Sequence, residues 1–320
     1  MLNIVFMGTP DFARESLKAI YEAGHNILAV VTNPDKPKGR GMKLIPSPVK
    51  EFAIEKNLKI YQPLKVRNNE DFIGEIKSLN PDVICVVAYG KILPKELLDI
   101  HGSLLPKYRG AAPIQWSVLN GDKETGITTM YMDVGMDTGD MILKEKVKIG
   151  EDETTGELWD KLSKVGAKLL VETLEKIERG IAPREKQGED FNLAPMLSKD
   201  MAKINWEEMN AEKIKNLVRG LNPIMGAYSE LEGKKVKFWK VNVVNLKDLS
   251  QKFPELKEYE YRMNGLAPGT VLFADEKNGL YINAIDGIIK VLEIQGENAK
   301  KMLINDYLRG NKIQAGTIFE

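Results

Sequence analysis

The chain has 320 residues, 43% apolar and 29% charged, which fits one or two globular domains and excludes a disordered chain. Lys plus Arg equals Asp plus Glu at 46 each, so a wholly basic surface is excluded and any nucleic-acid contact must use a local patch. The lone cysteine, Cys85, excludes a disulfide framework and suits a reducing cytosol, and the absence of a long apolar run or a leader predicts neither membrane span nor signal peptide.

Residues 3–7 are a buried-strand candidate that stops at Gly8. Thr9 as N-cap and Pro10 at the first helical position then predict a helix. Residues 27–32 predict a second strand. Residues 82–88 predict a third, an apolar run after Asp82 of the kind found in parallel sheets covered on both faces. Residues 127–132 are a fourth. From Thr154, Leu158, Leu162, Val165, Leu169, Val171, Leu174 and Ile177 recur at roughly helical spacing, with Gly180 as C-cap. This alternation predicts a doubly wound α/β domain with a mostly parallel sheet. Periodicity fails from Ile181 to Ser198, where Pro183 and Pro195 mark a linker. Beyond it, a helix over 211–219 and short alternating segments at 234–241, 269–273, 280–282 and 288–294 predict a small β-barrel. The charged run 247–262 reads as a surface insertion.

Four segments bear on chemistry. Gly8-Thr-Pro-Asp-Phe-Ala13 lies where a nucleotide-binding loop would, but Pro10 and Phe12 deny a pyrophosphate close approach, so a dinucleotide is not expected. The stretch 34–50 holds Lys36, Lys38, Arg40, Lys43 and Lys50 against Asp35, with four prolines: a basic loop, either solvated or able to hold phosphates. His101 is the one of two histidines near a strand end, where open α/β sheets bind ligands; it is either structural or an acid, base or charged stabiliser. Asp133-Val-Gly-Met-Asp137-Thr-Gly-Asp140 is a glycine-bearing turn able to bring a carboxylate to that histidine. Its spacing does not match an EF-hand, and no metal is expected.

Together these segments resemble the methionyl-tRNA formyltransferase family over almost the whole chain. The resemblance rests on Ile4 to Ala13, the PDKPKGRG loop, Ala88-Tyr-Gly90, Ser103 to Gln115 (SLLPKYRGAAPIQ), Asp133 to Asp140 and Asn216 to Pro223 (NLVRGLNP). It implies a Rossmann-like folate-binding domain over 1–180, a linker over 181–198 and an OB-like, tRNA-binding β-barrel over 199–320. The implied reaction moves a formyl group from 10-formyltetrahydrofolate to the α-amine of methionyl initiator tRNA, in the cytoplasm, with no metal and no protein partner. The match implies His101 and Asp137 as catalytic. It places the folate along Ser103, Leu104, Leu105 and Pro106 with Tyr89 and Gly90, and tRNA contacts at Arg40, Lys38 and Lys43.

The chain departs from the family in one place. Members carry a strand ending in Asn-x-His, whereas here Leu97-Leu-Asp-Ile-His101 runs straight on, about eight residues short, leaving a connection shorter than helix-to-strand links usually are. Asp99 stands at the asparagine offset, and an ionised carboxylate accepts where an amide can donate. A break between Ile100 and His101 is therefore expected, or else a continuous strand with Asp99 near His101. The rival readings are a sugar-amine N-formyltransferase and a catalytically impaired tRNA-binding relative.

Overall fold

The computed structural model describes residues 1–38, 42–90, 98–245 and 265–320. Arg40 and the 247–262 insertion lie outside the described residues. The chain divides into two compact units: Met1–Ile114 with Glu124–Lys148 and Glu157–Pro195, and Gln115–Lys123 with Ile149–Gly156 and Met196–Glu320.

The first unit is built on seven strands: β1 (Asn3–Gly8), β2 (Asn26–Val31), β5 (Ile60–Tyr61), β6 (Val83–Val87), β7 (Leu98–His101), β8 (Glu124–Tyr131) and β9 (Met141–Lys148). Their order is β5-β2-β1-β6-β7-β8-β9. Pairing is parallel from β5 to β7 and antiparallel at β7–β8 and β8–β9. Ile4, Val5, Phe6, Ala29, Val30, Val31, Cys85 and Val87 are wholly buried, as a sheet covered on both faces requires. Helix α1 (Asp11–Glu22) follows β1, but it begins one residue later than expected. Pro10 stands at the N-cap and Thr9 outside it, and Asp11 Oδ1 accepts the Phe12 N–H at 2.9 Å. Helices α2 (Pro48–Glu55), α3 (Glu70–Ser78) and α4 (Pro113–Leu119) follow in chain order. The long helix α5 (Thr155–Glu178) ends at Gly180, φ +67°, where Gly180 N–H reaches Ile177 O and Ile181 N–H reaches Lys176 O.

Strand β7 is unbroken. Cys85, Val86 and Val87 pair Leu98, Asp99 and Ile100 on one side, and Ile100 and His101 pair Thr129 and Thr128 on the other. The expected break between Ile100 and His101 is therefore overturned. Leu98 and Ile100 are buried, and Ile100 and Ile127 lie against Gly166 of α5, so a strand between two partners outcompetes the helical reading of Leu98. The basic loop is also more ordered than composition suggested. Residues Lys36–Lys38 (β3) and Lys43–Ile45 (β4) form an antiparallel ribbon.

Residues 181–195 run along the first unit. Glu185 and Met141 exchange backbone hydrogen bonds at 2.8 and 2.9 Å, and Ala194 N–H reaches Arg109 O at 2.7 Å.

The second unit carries α6 (Ala211–Gly220) and an antiparallel sheet. Its strands are β10 (Ala227–Leu231), β11 (Lys234–Val244), β12 (Val271–Asp275), β13 (Gly279–Asn283), β14 (Ile288–Gln295) and β15 (Met302–Leu303), followed by α7 (Ile304–Gly310). The order is β10-β11-β14-β13-β12, with β15 beside β14. The C-terminal tail bonds to both ends of this sheet. Glu230 and Glu320 exchange backbone bonds, and Phe319 N–H reaches Gly269 O at 2.9 Å. Phe319 packs against Trp206 and Phe238 in the core, at centroid distances of 6.2 and 5.4 Å.

Candidate active site

The site forms at the carboxyl end of β7, in the first unit. Strand alternation puts Leu98 and Ile100 on one face and Asp99 and His101 on the other. His101 is 5% exposed. Its Nε2 lies 2.8 Å from the Tyr108 carbonyl, which can only accept, so Nε2 carries the proton. Nδ1 faces Asp137 Oδ2 at 3.6 Å, an ion-pair distance too long for a direct hydrogen bond. Nδ1 is thus the ring nitrogen left for a reacting group.

Asp137 follows β8 in the turn singled out from the sequence. Its φ is +53°, the left-handed region that Asp tolerates better than most residues. The same Oδ2 accepts the Gly110 N–H at 2.7 Å. Two charge-oriented contacts therefore converge on one oxygen, which aims the carboxylate at the imidazole.

Asp99 is half-buried. Burial pushes its carboxyl up to about 8, the nearby Asp137 charge adds to this, and the Ile100 N–H at 2.8 Å opposes it. A carboxyl held protonated at neutral pH can donate a hydrogen bond, which an ionised one cannot. The departure from the family pattern is to this extent chemically softened.

The Ser103–Pro106 segment is anchored by Thr128, whose hydroxyl donates to Ser103 O at 2.7 Å and accepts from Leu105 N–H at 3.1 Å. Ser103 Oγ donates to Lys107 O. Leu105 packs with Met130 and Met141, and Leu104 lies over Gly126. The Leu105–Pro106 peptide is cis. Tyr89 is buried beside Val5, Met7 and Val86, and burial pushes its phenol up to about 12. Its carbonyl accepts from Asn33 Nδ2 at 3.1 Å. Gly90 is exposed, φ +70°, with open space around it. The Ser103 hydroxyl is thus bonded within its own segment, and the Leu105 and Tyr89 side chains are buried. Val134 and Met136, beside Asp137, are exposed at 76% and 70%.

Of the residues expected to meet tRNA, Lys38 and Lys43 sit opposite each other in the β3–β4 ribbon, and Arg40 lies outside the described residues. Lys50 is spent locally: its Nζ lies 2.5 Å from Asp35 Oδ2, and Gln62 holds the other oxygen at 2.9 Å. The Asn216–Pro223 segment is structural within the second unit. Arg219, 8% exposed, donates to Asn216 Oδ1, Glu153 O, Gly150 O and Val118 O at 2.8 to 3.5 Å. Thr155 Oγ1 donates to Gly220 O at 2.8 Å, and Lys215 pairs with Asp152 at 2.7 Å. These bonds explain why 115–123 and 149–156 belong to that unit.

Sequence reasoning missed Tyr108, Asn192 and Gln187. Asn192 Oδ1 accepts the Tyr108 N–H at 2.6 Å, and Gln187 bridges Arg109 to the Asp137 turn. Neither amide carries a sequence signal, because its partners lie far along the chain.

The formyl transferase family matches residues 2–174, and the formyl transferase C-terminal domain matches residues 196–312. The chain belongs to the formyl transferase family. It is 47% identical to the methionyl-tRNA formyltransferase of Caldanaerobacter subterraneus subsp. tengcongensis, with 100% of each chain covered. It is 48% identical to that of Clostridioides difficile, with 99% of each covered. The first alignment spans 328 positions against 320 residues, so at least eight positions have no counterpart here. Among solved structures, the N-formyltransferase of Helicobacter canadensis, solved with folinic acid and dTDP-3-aminofucose, matches with a TM-score of 0.65 at 19% identity, covering 91% of this chain and 99% of that one. HypX of Aquifex aeolicus in complex with tetrahydrofolic acid matches with a TM-score of 0.60 at 16% identity, covering 99% of this chain and 50% of that one. Both share the fold. Among the described residues no group of three or more His, Cys, Asp or Glu side chains could hold a metal, and no helix is long and apolar enough to cross a membrane.

Proposed function

We propose that this chain transfers the formyl group of 10-formyltetrahydrofolate to the α-amine of methionine esterified to initiator tRNA. The observation that carries the reading is the His101–Asp137 pair at the carboxyl end of β7, in a chain alike end to end to enzymes of that activity.

The amine attacks the formyl carbon, an N–C bond forms, and the carbonyl oxygen becomes a tetrahedral oxyanion. His101, with Nε2–H committed to Tyr108, presents Nδ1 to the reacting atoms. Charged, it stabilises the oxyanion. Asp137, whose carboxylate faces Nδ1 at 3.6 Å, takes up the amine proton itself. Collapse breaks the bond from the formyl carbon to the folate nitrogen, and the proton is returned to that nitrogen. The folate meets the backbone of Ser103–Pro106 and Gly90, with the exposed Val134 and Met136 offering apolar contact.

The second unit, its sheet ends joined by the C-terminal tail, is read as an OB-like barrel that holds tRNA, together with Lys38 and Lys43 on the ribbon and with Arg40. The buried, unpaired Cys85 accords with a cytoplasmic protein.

The test compares acceptors. Formyl transfer to charged initiator tRNA, with none to a nucleotide-linked amino sugar, is expected. The reverse preference would make the chain a sugar-amine enzyme, and tRNA binding without turnover an impaired relative.

A further inference from the structure

We propose that Gln187 is a positioning residue, whose side-chain amide locks the Asp137–Gly139 turn so that the Asp137 carboxylate faces His101 and the Gly110 N–H. This rests on the reading of His101 and Asp137 as the reacting pair.

Gln187 Nε2 donates to Asp137 O at 2.7 Å and Gly139 O at 2.9 Å, while Oε1 accepts from Arg109 Nε at 2.9 Å. Two carbonyls can only accept and a guanidinium can only donate, so a single orientation of the amide satisfies all three. The turn it grips needs such a grip. Asp137 is left-handed at φ +53°, a conformation that persists where its surroundings over-determine it. Gly139 is pressed so closely on β8 that a Cβ there would lie 1.5 Å from Tyr131 O.

The segment carrying Gln187 is itself fixed on both sides. Glu185 pairs with Met141 before it, and after it Asn192 O accepts from Arg109 N–H and Ala194 N–H donates to Arg109 O. Phe191 also stacks on the Arg109 guanidinium at 4.5 Å. Asn192 holds the Tyr108 N–H, and Tyr108 O holds His101. One strap thus orients both members of the pair: Asp137 through Gln187, and the imidazole through Asn192 and Tyr108.

The experiment uses the full chain with Gln187→Ala and Gln187→Glu. The Glu variant keeps the size and the Arg109 partner, but sets a carboxylate oxygen against two carbonyls. Amide exchange at Gly110, whose N–H is bound only if Asp137 is correctly placed, is expected to accelerate on the order of tenfold in both variants, with β8 amides unchanged. The kcat should fall roughly ten- to a hundredfold, with KM for both substrates unchanged. Gln187→Ala added to Asp137→Asn should cost nothing further, because the two act through one group. Unaltered Gly110 exchange in both variants, or full activity in Gln187→Glu, would overturn the role of Gln187. Full turnover by Asp137→Asn would instead overturn the reading of the pair, and Gly110 exchange would still decide the part played by Gln187.

Discussion

Asp99→Asn separates two consequences of a carboxyl placed beside Asp137. The Asp99 carboxyl titrates at about 8 in the fold, because burial and the Asp137 charge outweigh the single Ile100 N–H. In the unfolded chain it titrates near 4, so between these values the native state holds a proton that the unfolded state has lost. Unfolding then releases a proton, and stability falls as pH rises, by about 1.4 kcal/mol per pH unit at most. The dependence runs from about pH 4 to about pH 8 and levels above. Half-burial admits solvent and reduces the effect, so from pH 5 to pH 8 the parent should lose roughly 2 kcal/mol more than a variant that cannot titrate. Chemical unfolding at three pH values measures the difference. Asp99→Asn should match the parent near pH 5 and exceed it progressively toward pH 8. Formyl transfer by the variant should rise most at alkaline pH, where the parent bears a second negative charge opposing the oxyanion and the amide donates instead. A stability difference flat with pH would refute the burial argument.

Arg219→Ala strips donors from backbone carbonyls of 115–123 and 149–156, and should destabilise the second unit by roughly 2–4 kcal/mol. An unchanged thermal midpoint would contradict this clamp. Arg40→Ala should reduce the salt slope of tRNA binding by about one unit and raise KM for tRNA, leaving folate affinity unchanged. An unaltered slope together with unaltered activity would return the basic segment 34–50 to a merely solvated role.

The parallel strands were legible because β1, β2 and β6 are apolar runs that only a doubly covered sheet buries, and α5 because seven apolar residues keep helical spacing to Gly180. Strand β9, MILKEKVK, was not, because an edge strand can alternate charged residues that composition reads as surface. Strand β7 was not, because four residues after a helix-like stretch carry too short a period to outweigh it, and only pairing with β6 and β8 settles their state. His101 and Asp137 were found through chemistry and motif. The strap over 185–194 falls within the stretch 181–198 that reads as a linker, because side-chain and backbone bonds to distant residues leave no periodicity. In the second unit the strands were visible one by one, but the tail bonded to both sheet ends was not, because residues 316–320 pair with partners at 230 and 269–271.

The central claim, that His101 acts on the transition state, is tested most directly by single-turnover formyl transfer with His101→Ala at saturating tRNA and folate. The rate should fall by on the order of a hundredfold or more, while Kd for charged initiator tRNA stays within about twofold of the parent. Turnover equal to that of the parent would contradict the account.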